Sequence, residues 1–422
     1  MIMAMIRPET EMKDSGIEWI GDIPANWGKS KLKYLGVYIN GYAFKPSDWS
    51  ARGRQIIRIQ DLTGSNSGEP NYFDGTLDEK YRVVNGDILV SWAATLDAFV
   101  WTKEDGWLNQ HIFKAVPNEK IVKGYFLWLL KVAMDNMNND DKHGIVMQHV
   151  TIGLFNNYVV PLAPYTEQQA IADYLDETCS KIDEIIAEAK ASIDEYKELK
   201  QAVIFEAVTK GLDKNVEMKQ CSVNWLDEIP STWESIRLKY LLTEINNRSE
   251  TGTEQPLSVS QVMGVVPSYM IAVANPTASY VGQKIVEPND IVFNKLKAHL
   301  GVFFMSKYHG LVSPDYAVYR TNDKVIPKYL EYLFHTSACI SEFKKYISGV
   351  AEGLMRLYTS DLFNIRICLP KVDEQIQIVE YVENKVELFD SLITEKESLI
   401  NDLEAYKKSL IYEVVTGKRR VV

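Results

Sequence analysis

The stretch EWIGDIPANW, residues 18–27, recurs as NWLDEIPSTW at residues 224–233. Trp19 and Trp225 are 206 positions apart, and the Ile-Pro pair, the second tryptophan and a following LKYL segment keep the same separation. Agreement at this many positions with one constant separation indicates an internal duplication. The chain therefore consists of two related halves.

Two further segments extend the repeat to the end of each half. EQQAIADYL from Glu167 matches EQIQIVEYV from Glu374, and IFEAVTKG from Ile204 matches IYEVVTGK from Ile411, both at a separation of 207. Solenoid repeats have periods of about 20 to 50 residues, so this longer period indicates a duplicated unit of domain size.

Each half divides into a mixed part and a helical part. Short β-rich runs such as RQIIRIQDL and GDILVSW, separated by Gly, Pro and Asn, predict compact α/β modules at residues 1–164 and 214–371. Residues 165–213 and 372–422 contain no proline and are rich in Glu, Lys, Ala, Leu and Ile. This composition predicts one long helix in each segment.

Both predicted helices carry an apolar stripe with a spacing of seven residues. The stripe consists of Leu175, Ile182, Ala189, Tyr196 and Val203 in the first helix and of Val382, Phe389, Leu403 and Leu410 in the second. Such stripes favour a partner helix. The alternative, that each stripe lies on its own module, is weaker because a helix of about 40 residues spans about 60 Å, which exceeds a module about 40 Å across.

The same lengths predict the direction of the two helices. A module of this size cannot return the chain along the whole helix to begin a parallel one, so the helices should run antiparallel and bring the chain termini close together. We therefore predict an α+β fold in which two pseudo-repeated globular α/β modules are separated by two long antiparallel coiled-coil helices.

Composition excludes several classes of protein. A chain of 422 residues with 46% hydrophobic and 24% charged residues is typical of a globular protein with two or more domains. The longest uncharged apolar run, near residues 125–130, is too short to cross a bilayer, and the N-terminus lacks a signal pattern, so we expect a cytoplasmic protein without a membrane partner. The four cysteines are too dispersed for a Cys-x-x-Cys pair, so we expect them to be incidental; they are Cys179, Cys221, Cys339 and Cys368. The histidines have no metal-binding spacing, so we expect no metal site.

The net charge of −11 is confined to the predicted helices. They carry −7 and −4, and the remaining chain is neutral. Phosphate contact depends on local lysine and arginine, so the net charge neither excludes nor indicates nucleic acid.

The segments SGIEWIGDIPANW and WLDEIPSTW, the Pro-then-EQ entry into each helix, and the GDILVS and GLMRL elements resemble the specificity subunits of type I restriction-modification systems. The resemblance covers nearly the whole chain. It implies two target recognition domains that each read one part of an asymmetric, bipartite double-stranded DNA target, with the helices as a ruler between them. It also implies two methyltransferase (M) subunits that use S-adenosylmethionine to methylate adenine, and motor-nuclease (R) subunits that use ATP and Mg²⁺ for restriction.

The chain itself is expected to be non-catalytic and to hold no cofactor. An Asn/Asp-Pro-Pro-Tyr/Phe methyltransferase loop is missing, since NPT at Asn275 lacks the second proline and the aromatic residue. GKS at Gly28 has Ile23 where a phosphate-binding loop needs its first glycine. The residue types of a PD…ExK nuclease occur at Pro314-Asp315 and Glu342-Phe343-Lys344. The second segment has helical spacing, however, whereas that chemistry usually needs its ExK residues on a strand beside the aspartate.

Polar residues beside the strand-like segments are the candidates for DNA contact, because Arg, Lys, Asn and Gln can bond to base edges while Ser and Lys hold phosphates. In the first module they are Arg58, Gln60, Ser91, Asn109, Gln110, His111, Lys142, His143, Gln148 and His149. In the second they are Ser258, Ser260, Gln261, Asn294, Lys295, Lys297, His299, Ser313 and Arg356.

For each candidate, a solvated loop residue or a strand cap is an equally good interpretation. We expect His111 to be partly buried. Lys295 and Lys297 are the favoured pair, since alternation along a strand would point both the same way.

The repeated tryptophans favour a structural role over a functional one. Trp19, Trp27, Trp225 and Trp233 should pack an N-terminal arm onto each module or onto the helix pair, with docking of the methyltransferase subunits as the alternative. Two other functions stay open: a coiled-coil scaffold whose modules bind protein partners, and an enzyme with a fused activity, which has no motif to support it.

Overall fold

The computed structural model describes residues 5–65, 68–139, 150–223, 225–271, 279–348 and 356–421. These residues form two compact units, and both long helices contribute to each unit. The first unit comprises Met1–Ala189 with Ser398–Val422, and the second comprises Lys190–Glu397.

The first half of the chain, up to residue 210, contains thirteen strands and four α-helices within the described residues. The strands are β1 (Met5–Ile6), β2 (Met12–Asp14), β3 (Asp22–Pro24), β4 (Gly28–Lys31), β5 (Gly36–Asn40), β6 (Arg54–Ile57), β7 (Tyr72–Phe73), β8 (Arg82–Val83), β9 (Ile88–Ser91), β10 (Asp97–Val100), β11 (Gly106–Leu108), β12 (Ile112–Pro117) and β13 (Val159–Leu162). The helices are α1 (Ile59–Thr63), α2 (Lys123–Asn138), α3 (Ile152–Asn157) and α4 (Tyr165–Lys210), with 3₁₀ turns at Glu9–Glu11, Leu32–Tyr34, Pro46–Asp48 and Glu79–Tyr81.

The second half repeats the order of strands, although its short helices differ. Its strands are β14 (Met218–Gln220), β15 (Glu228–Pro230), β16 (Glu234–Arg237), β17 (Leu242–Ile245), β18 (Leu257–Ser260), β19 (Gly264–Pro267), β20 (Lys284–Val286), β21 (Ile291–Phe293), β22 (Phe303–Met305), β23 (Gly310–Val312), β24 (Ala317–Thr321), β25 (Arg366–Leu369) and β26 (Arg419–Arg420). Its helices are α5 (Pro327–Phe334), α6 (Ser337–Lys345), α7 (Thr359–Asn364) and α8 (Val372–Val415), with 3₁₀ turns at Leu238–Tyr240, Ser268–Met270 and Lys295–Leu300.

The sheets of the two units have the same topology. A four-stranded sheet has the order β10-β9-β12-β5 in the first unit and β22-β21-β24-β17 in the second. A second sheet, β7-β6-β11-β8, corresponds to the pairs β18-β19 and β20-β23, which a parallel bridge between Pro256 and Leu311 joins in the same order. The duplication predicted from the repeat is therefore confirmed in three dimensions.

Large apolar side chains fill the interior of each unit. Trp27, Trp101, Tyr125, Phe126 and Phe155 are fully buried in the first unit. Trp233, Phe293, Phe303, Tyr319, Tyr329 and Phe343 are fully buried in the second. Each such side chain contributes roughly 1.5–3 kcal/mol to folding by leaving water.

Two helices of 46 and 44 residues, α4 and α8, confirm the predicted long segments. In the second unit Lys200 pairs with Asp390 at 2.6 Å, while Gly211, just after α4, lies against Glu374 in the first turn of α8. In the first unit Asp183 pairs with Lys407 at 2.6 Å, and Arg7 bonds both to Glu167 near the start of α4 and to Lys418 just after α8. Within each unit, the two helices therefore run antiparallel.

The stripe positions that the repeat of seven predicts are on the packed side of these helices. Leu175, Ile182 and Ala189 are buried in α4, as are Val382 and Leu410 in α8. The termini meet as predicted, because β1 pairs with β26 and places Met5 opposite Arg420. None of the helices in the described ranges is long and apolar enough to span a bilayer.

The repeated tryptophans pack each module onto the beginning of its long helix. The indole Nε1 of Trp27 donates to Glu167 at 3.1 Å, and that of Trp233 donates to Glu374 at 3.0 Å. Trp19 stacks on Tyr158 with ring centroids 5.6 Å apart. The prediction that the arm packs onto its module is confirmed.

The glutamine that follows each of these glutamates also bonds module to helix. Gln375 accepts from the backbone N–H of Ile326 at 2.8 Å and donates to the carbonyl oxygens of Lys324 and Pro370. Gln168 accepts from Val122 in the same way at 2.8 Å. Both glutamines are buried, so these bonds hold each module in one orientation on its helix.

Candidate nucleic-acid interface

The candidate surface of the first unit lies where two parallel strands end. β6 and β11 are paired with Ile57 opposite Leu108, so the next residues, Arg58 and Asn109, leave the sheet at the same edge. Tyr42 forms an isolated bridge with Asn109 and lies at this edge as well. We call Tyr42, Arg58, Asn109, Gln110 and His111 the first recognition edge.

The side chain of Arg58 is held in place at this edge. Its Nη1 donates to Asn71 Oδ1 at 2.9 Å, and its guanidinium carbon lies 5.7 Å from the ring centroid of Trp49. The RQIIRIQDL run is extended only as far as Ile57, because Asp61 accepts from the backbone N–H of Arg58 at 2.8 Å and starts α1. Gln60 lies within that short helix and is half-buried.

The turn between β11 and β12 carries three more of the predicted residues. Asn109 Oδ1 accepts from the backbone N–H of His111 at 3.4 Å, and Gln110 Nε2 lies 3.4 Å from His111 Nε2. The His111 ring packs beside Trp92, with centroids 5.3 Å apart. The expectation that His111 is partly buried is wrong: it is exposed, because it lies in the turn between β11 and β12 and not in a strand.

Ser91 is not part of this surface. Its side chain is completely buried, and its hydroxyl donates to the carbonyl oxygen of Ala93 at 3.1 Å. The prediction of DNA contact is therefore corrected for Ser91, since a side chain with no exposed surface cannot reach DNA. Lys142, His143, Gln148 and His149 lie outside the described residues.

In the second unit, three candidates shape the β18–β19 hairpin. The hydroxyls of Ser258 and Ser268 are 2.8 Å apart, and Ser260 Oγ accepts from the backbone N–H groups of Val262 and Met263, both at 3.2 Å. At the tip, Gln261 donates to the carbonyl oxygen of Leu300 at 3.2 Å. The hairpin tip therefore lies against the turn at Lys295–Leu300.

That turn corrects the expected strand at Lys295 and Lys297. Asn294 Oδ1 accepts from the backbone N–H groups of Leu296 and Lys297, which starts a 3₁₀ turn in place of an extended segment. Gly301, with φ of 71°, ends it. The two lysines consequently do not alternate along a strand: Lys295 lies 3.6 Å from Glu244, and Lys297 is exposed.

Glu244 is shared by two cations below this turn. Lys284, which is buried, lies 3.8 Å from it and donates to the carbonyl oxygen of Tyr316. Burial, followed by the charge of Lys295, lowers the pKa of the Lys284 ammonium. Lys297 therefore presents a cation to solvent, whereas Lys284 is buried beside Glu244.

The remaining candidates of the second unit have different surroundings. His299 is half-buried, and within the described ranges its Nδ1 has no hydrogen-bond partner. Arg356 forms an antiparallel bridge with Ser348, and the next residue, Leu357, donates its backbone N–H to the carbonyl of Lys295. Ser313 Oγ accepts from the backbone N–H of Asp315 at 3.4 Å, where it supports a turn.

We call Gln261, Lys295, Lys297, His299 and Arg356 the second recognition edge. The side chain of Gln261 bonds to the carbonyl oxygen of Leu300, and Leu357, next to Arg356, bonds through its backbone to Lys295, so the structure brings these five residues together. Sequence reasoning missed three exposed apolar residues nearby, namely Trp49 in the first unit and Val262 and Met263 in the second. In the sequence these residues could be recognised as apolar residues inside polar loops, but a search for polar contacts overlooks them.

A metal site requires several clustered ligand side chains, which can be checked within the described residues. There, no group of three or more His, Cys, Asp or Glu side chains could hold a metal ion. Glu342 of the possible nuclease motif lies on α6, as the helical spacing predicted, and pairs with Lys345 at 2.7 Å.

Comparison with known proteins agrees with the duplicated fold. The family model of the type I restriction modification DNA specificity domain matches residues 24–195 and again residues 230–404. The chain is 23% identical to the type I restriction enzyme EcoBI specificity subunit of Escherichia coli over 97% of this chain and 89% of that protein. It is also 23% identical to the MjaVIII specificity subunit of Methanocaldococcus jannaschii, over 82% of each.

A solved structure has the same fold despite 14% identity. It is described as showing complex assembly and conformational transition of the type I R-M system, and it superposes with a TM-score of 0.69 over 94% of this chain and 99% of that one. The family model covers most of the chain in two copies, one for each half of the repeat. The chain therefore belongs to the family of type I restriction-modification specificity subunits.

Proposed function

We propose that the two units bind double-stranded DNA and that each recognition edge reads one half of an asymmetric, bipartite target. The protein then directs adenine methylation and ATP-dependent restriction by its partners, two methyltransferase subunits and the motor-nuclease subunits. S-adenosylmethionine, ATP and Mg²⁺ belong to those partners, and this chain contributes recognition without catalysis. Residues 1–164 and 214–371 are the target recognition domains, and residues 165–213 and 372–422 are the spacer helices.

One observation supports the asymmetric target above all others. In the second unit the parallel bridge between Pro256 and Leu311 corresponds to the pairing of Ile56 with Trp107 in the first. Two residues beyond the bridge, Ser258 and Ser313 therefore occupy the positions of Arg58 and Asn109, and the second recognition edge is built instead around the Lys295–Leu300 turn. One backbone framework thus carries a cation and an amide in the first unit and two hydroxyls in the second.

These differences in side chains have a direct chemical consequence for readout. Arginine donates two parallel hydrogen bonds to guanine and asparagine pairs with adenine, whereas serine is less discriminating and often contacts phosphate. Two identical edges would favour a palindromic target. Two different edges favour half-sites that differ in sequence.

Selection from a random DNA pool tests this proposal. The purified chain, alone and with its methyltransferase subunits, should enrich a split motif with two unlike halves and a constant gap. An Arg58→Ala variant should relax one half of the motif and leave the other unchanged. A pool that shows no enrichment even with the methyltransferase partner would instead support a scaffold that binds proteins. Methyl transfer by the isolated chain, mixed only with S-adenosylmethionine and DNA, would contradict a role limited to recognition.

A further inference from the structure

Two cysteine sulfurs are in direct contact in the second unit. Cys221 follows β14 and Cys368 lies in β25, and their Sγ atoms are 2.9 Å apart although the residues are 147 positions apart in the sequence. Cys221 is half-buried, whereas Cys368 is buried. One thiol of the pair is thus accessible from solvent, and the other lies behind it.

The backbone holds both thiols in place. The backbone N–H of Cys221 donates to the carbonyl oxygen of Asp227 at 3.0 Å, and Cys221 Sγ accepts from Val223 at 3.4 Å. Cys368 lies within a strand and is paired with Ser235. Burial, and then the contact with Cys221, raise the pKa of the Cys368 thiol. Because solvent reaches Cys221 and not the buried Cys368, Cys221 is the thiol that reacts first.

The first unit shows that the fold itself does not require these thiols. Ser15 takes the place of Cys221 and makes the same turn, with its Oγ accepting from Ile17 at 3.1 Å. Pro161, paired with Lys29 as Cys368 is paired with Ser235, takes the place of Cys368. The corresponding positions of the first unit are therefore filled without sulfur.

We propose that Cys221 and Cys368 form a redox modification site whose co-reactant is a low-molecular-weight disulfide. The Cys221 thiolate attacks one sulfur of the small disulfide, forming a mixed disulfide and releasing one small thiolate, which takes up a proton. Cys368 then loses its proton, and its sulfur attacks Cys221 Sγ and displaces the second small thiolate. The two protein thiols are oxidised, the small disulfide is reduced to two thiols, and the proton count balances.

The product would tie an arm of the unit to its sheet. A disulfide has a sulfur–sulfur distance of about 2.05 Å, so the two sulfurs must approach by less than 1 Å from the 2.9 Å seen here. The bond would link the β14–β15 hairpin to β25, the strand that leads into α8. The hairpin could then no longer separate from the sheet while the bond is intact.

Oxidised glutathione applied to the reduced full-length protein tests the site. Mass spectrometry of the intact chain should show the loss of two hydrogen atoms, and digestion without reductant should give a peptide joining Cys221 to Cys368 that dithiothreitol separates. The buried Cys179 and Cys339 serve as internal controls and should stay reduced.

Two variants separate the steps of the reaction. C368S should stop at a mixed disulfide on Cys221, and C221S, which copies Ser15 of the first unit, should leave Cys368 reduced. Circular dichroism shows whether each variant is folded. The peptide map of the wild-type protein tests the site even if a variant does not fold. A stable glutathione adduct on wild-type Cys221, or thiols that all stay reduced in fully oxidised glutathione, would overturn the proposal.

Discussion

His335 Nε2 lies 3.0 Å from the carbonyl oxygen of Gly301 and fastens the end of α5 to the turn of the second recognition edge. The imidazole also stacks on Phe303, with ring centroids 4.8 Å apart. Gly301 ends the Lys295–Leu300 turn, so this contact holds the end of the turn against α5. His335 is therefore a positioning residue for the proposed DNA contact.

Acidification should destabilise the second unit through His335. Burial lowers the pKa of this imidazole from its ordinary value of 6.5, although the charge of Glu331 partly opposes the shift. The unfolded chain therefore binds the proton more readily than the folded chain does. The free energy of unfolding is not reduced by this group above about pH 6.5, and it falls as the pH drops below that value. Urea midpoints measured between about pH 8 and pH 5 should therefore decline less steeply for His335→Gln than for wild type. Equal slopes for His335→Gln and wild type would contradict this role.

Gln375→Ala should weaken the junction between the second module and α8. The change removes one acceptor and two donor contacts, leaving the backbone groups of Lys324, Ile326 and Pro370 without this partner. Since each buried unsatisfied group costs about 1–3 kcal/mol, and some rearrangement is expected, we predict a loss of about 2–4 kcal/mol in urea unfolding. Gln377→Ala is the matched control, because Gln377 lies exposed on the same helix. Similar losses for both variants would argue against a special role for Gln375.

The two Trp–Glu bonds should differ in their contribution to stability. Trp233→Phe removes the bond to Glu374 and should cost about 2 kcal/mol, as expected for a hydrogen bond to a charged group. Trp27→Phe should cost less, about 1 kcal/mol, because Glu167 keeps its bonds to Arg7 and Asn26. Thermal unfolding of both variants, with the exposed Trp49→Phe as reference, measures the difference. A larger loss for Trp27→Phe would be inconsistent with this account.

Lys297→Ala should weaken DNA binding with little change in sequence preference. An exposed ammonium that contacts phosphate contributes through counterion release, so the slope of log affinity against log salt should fall by about 1. Fluorescence anisotropy at several salt concentrations gives this slope. Lys214→Ala removes another exposed lysine, just beyond α4, and should leave the slope unchanged. If Lys297→Ala behaves like this control, Lys297 does not contact DNA.

Lengthening both spacer helices should change the gap in the DNA target. Four added residues in α4 and four at the matching point of α8 extend each helix by about 6 Å and nearly preserve its phase, because four is close to 3.6 residues per turn. With a rise of about 3.4 Å per base pair, the gap should grow by about two base pairs while both half-sites stay the same. Methylome sequencing of cells with the complete system provides the measurement. An unchanged gap would exclude the helices as a ruler.

Much of the fold can be predicted from residues that are near one another in sequence. The tryptophans at 19 and 225, the EQ pairs at 167 and 374, and the stripe from Leu175 to Ala189 predict a duplicated chain with two long helices. The length of those helices also predicts their antiparallel direction. Repeats, helical periodicity and the absence of proline are properties of the linear chain, and the sequence by itself therefore determined them.

The composition of the candidate interface was decided only by the tertiary structure. Pairing of β6 with β11 brings Arg58 next to Asn109, residues that are far apart in sequence, and the same kind of pairing brings Cys368 to Cys221. Ser91 is a polar residue in a strand-like run, yet its side chain is completely buried. Lys295 and Lys297 alternate in the sequence, but the Asn294 cap turns them into a 3₁₀ segment. Which side chains share a surface depends on long-range strand pairing and on local hydrogen bonds, and neither is encoded in the spacing of residues along the chain.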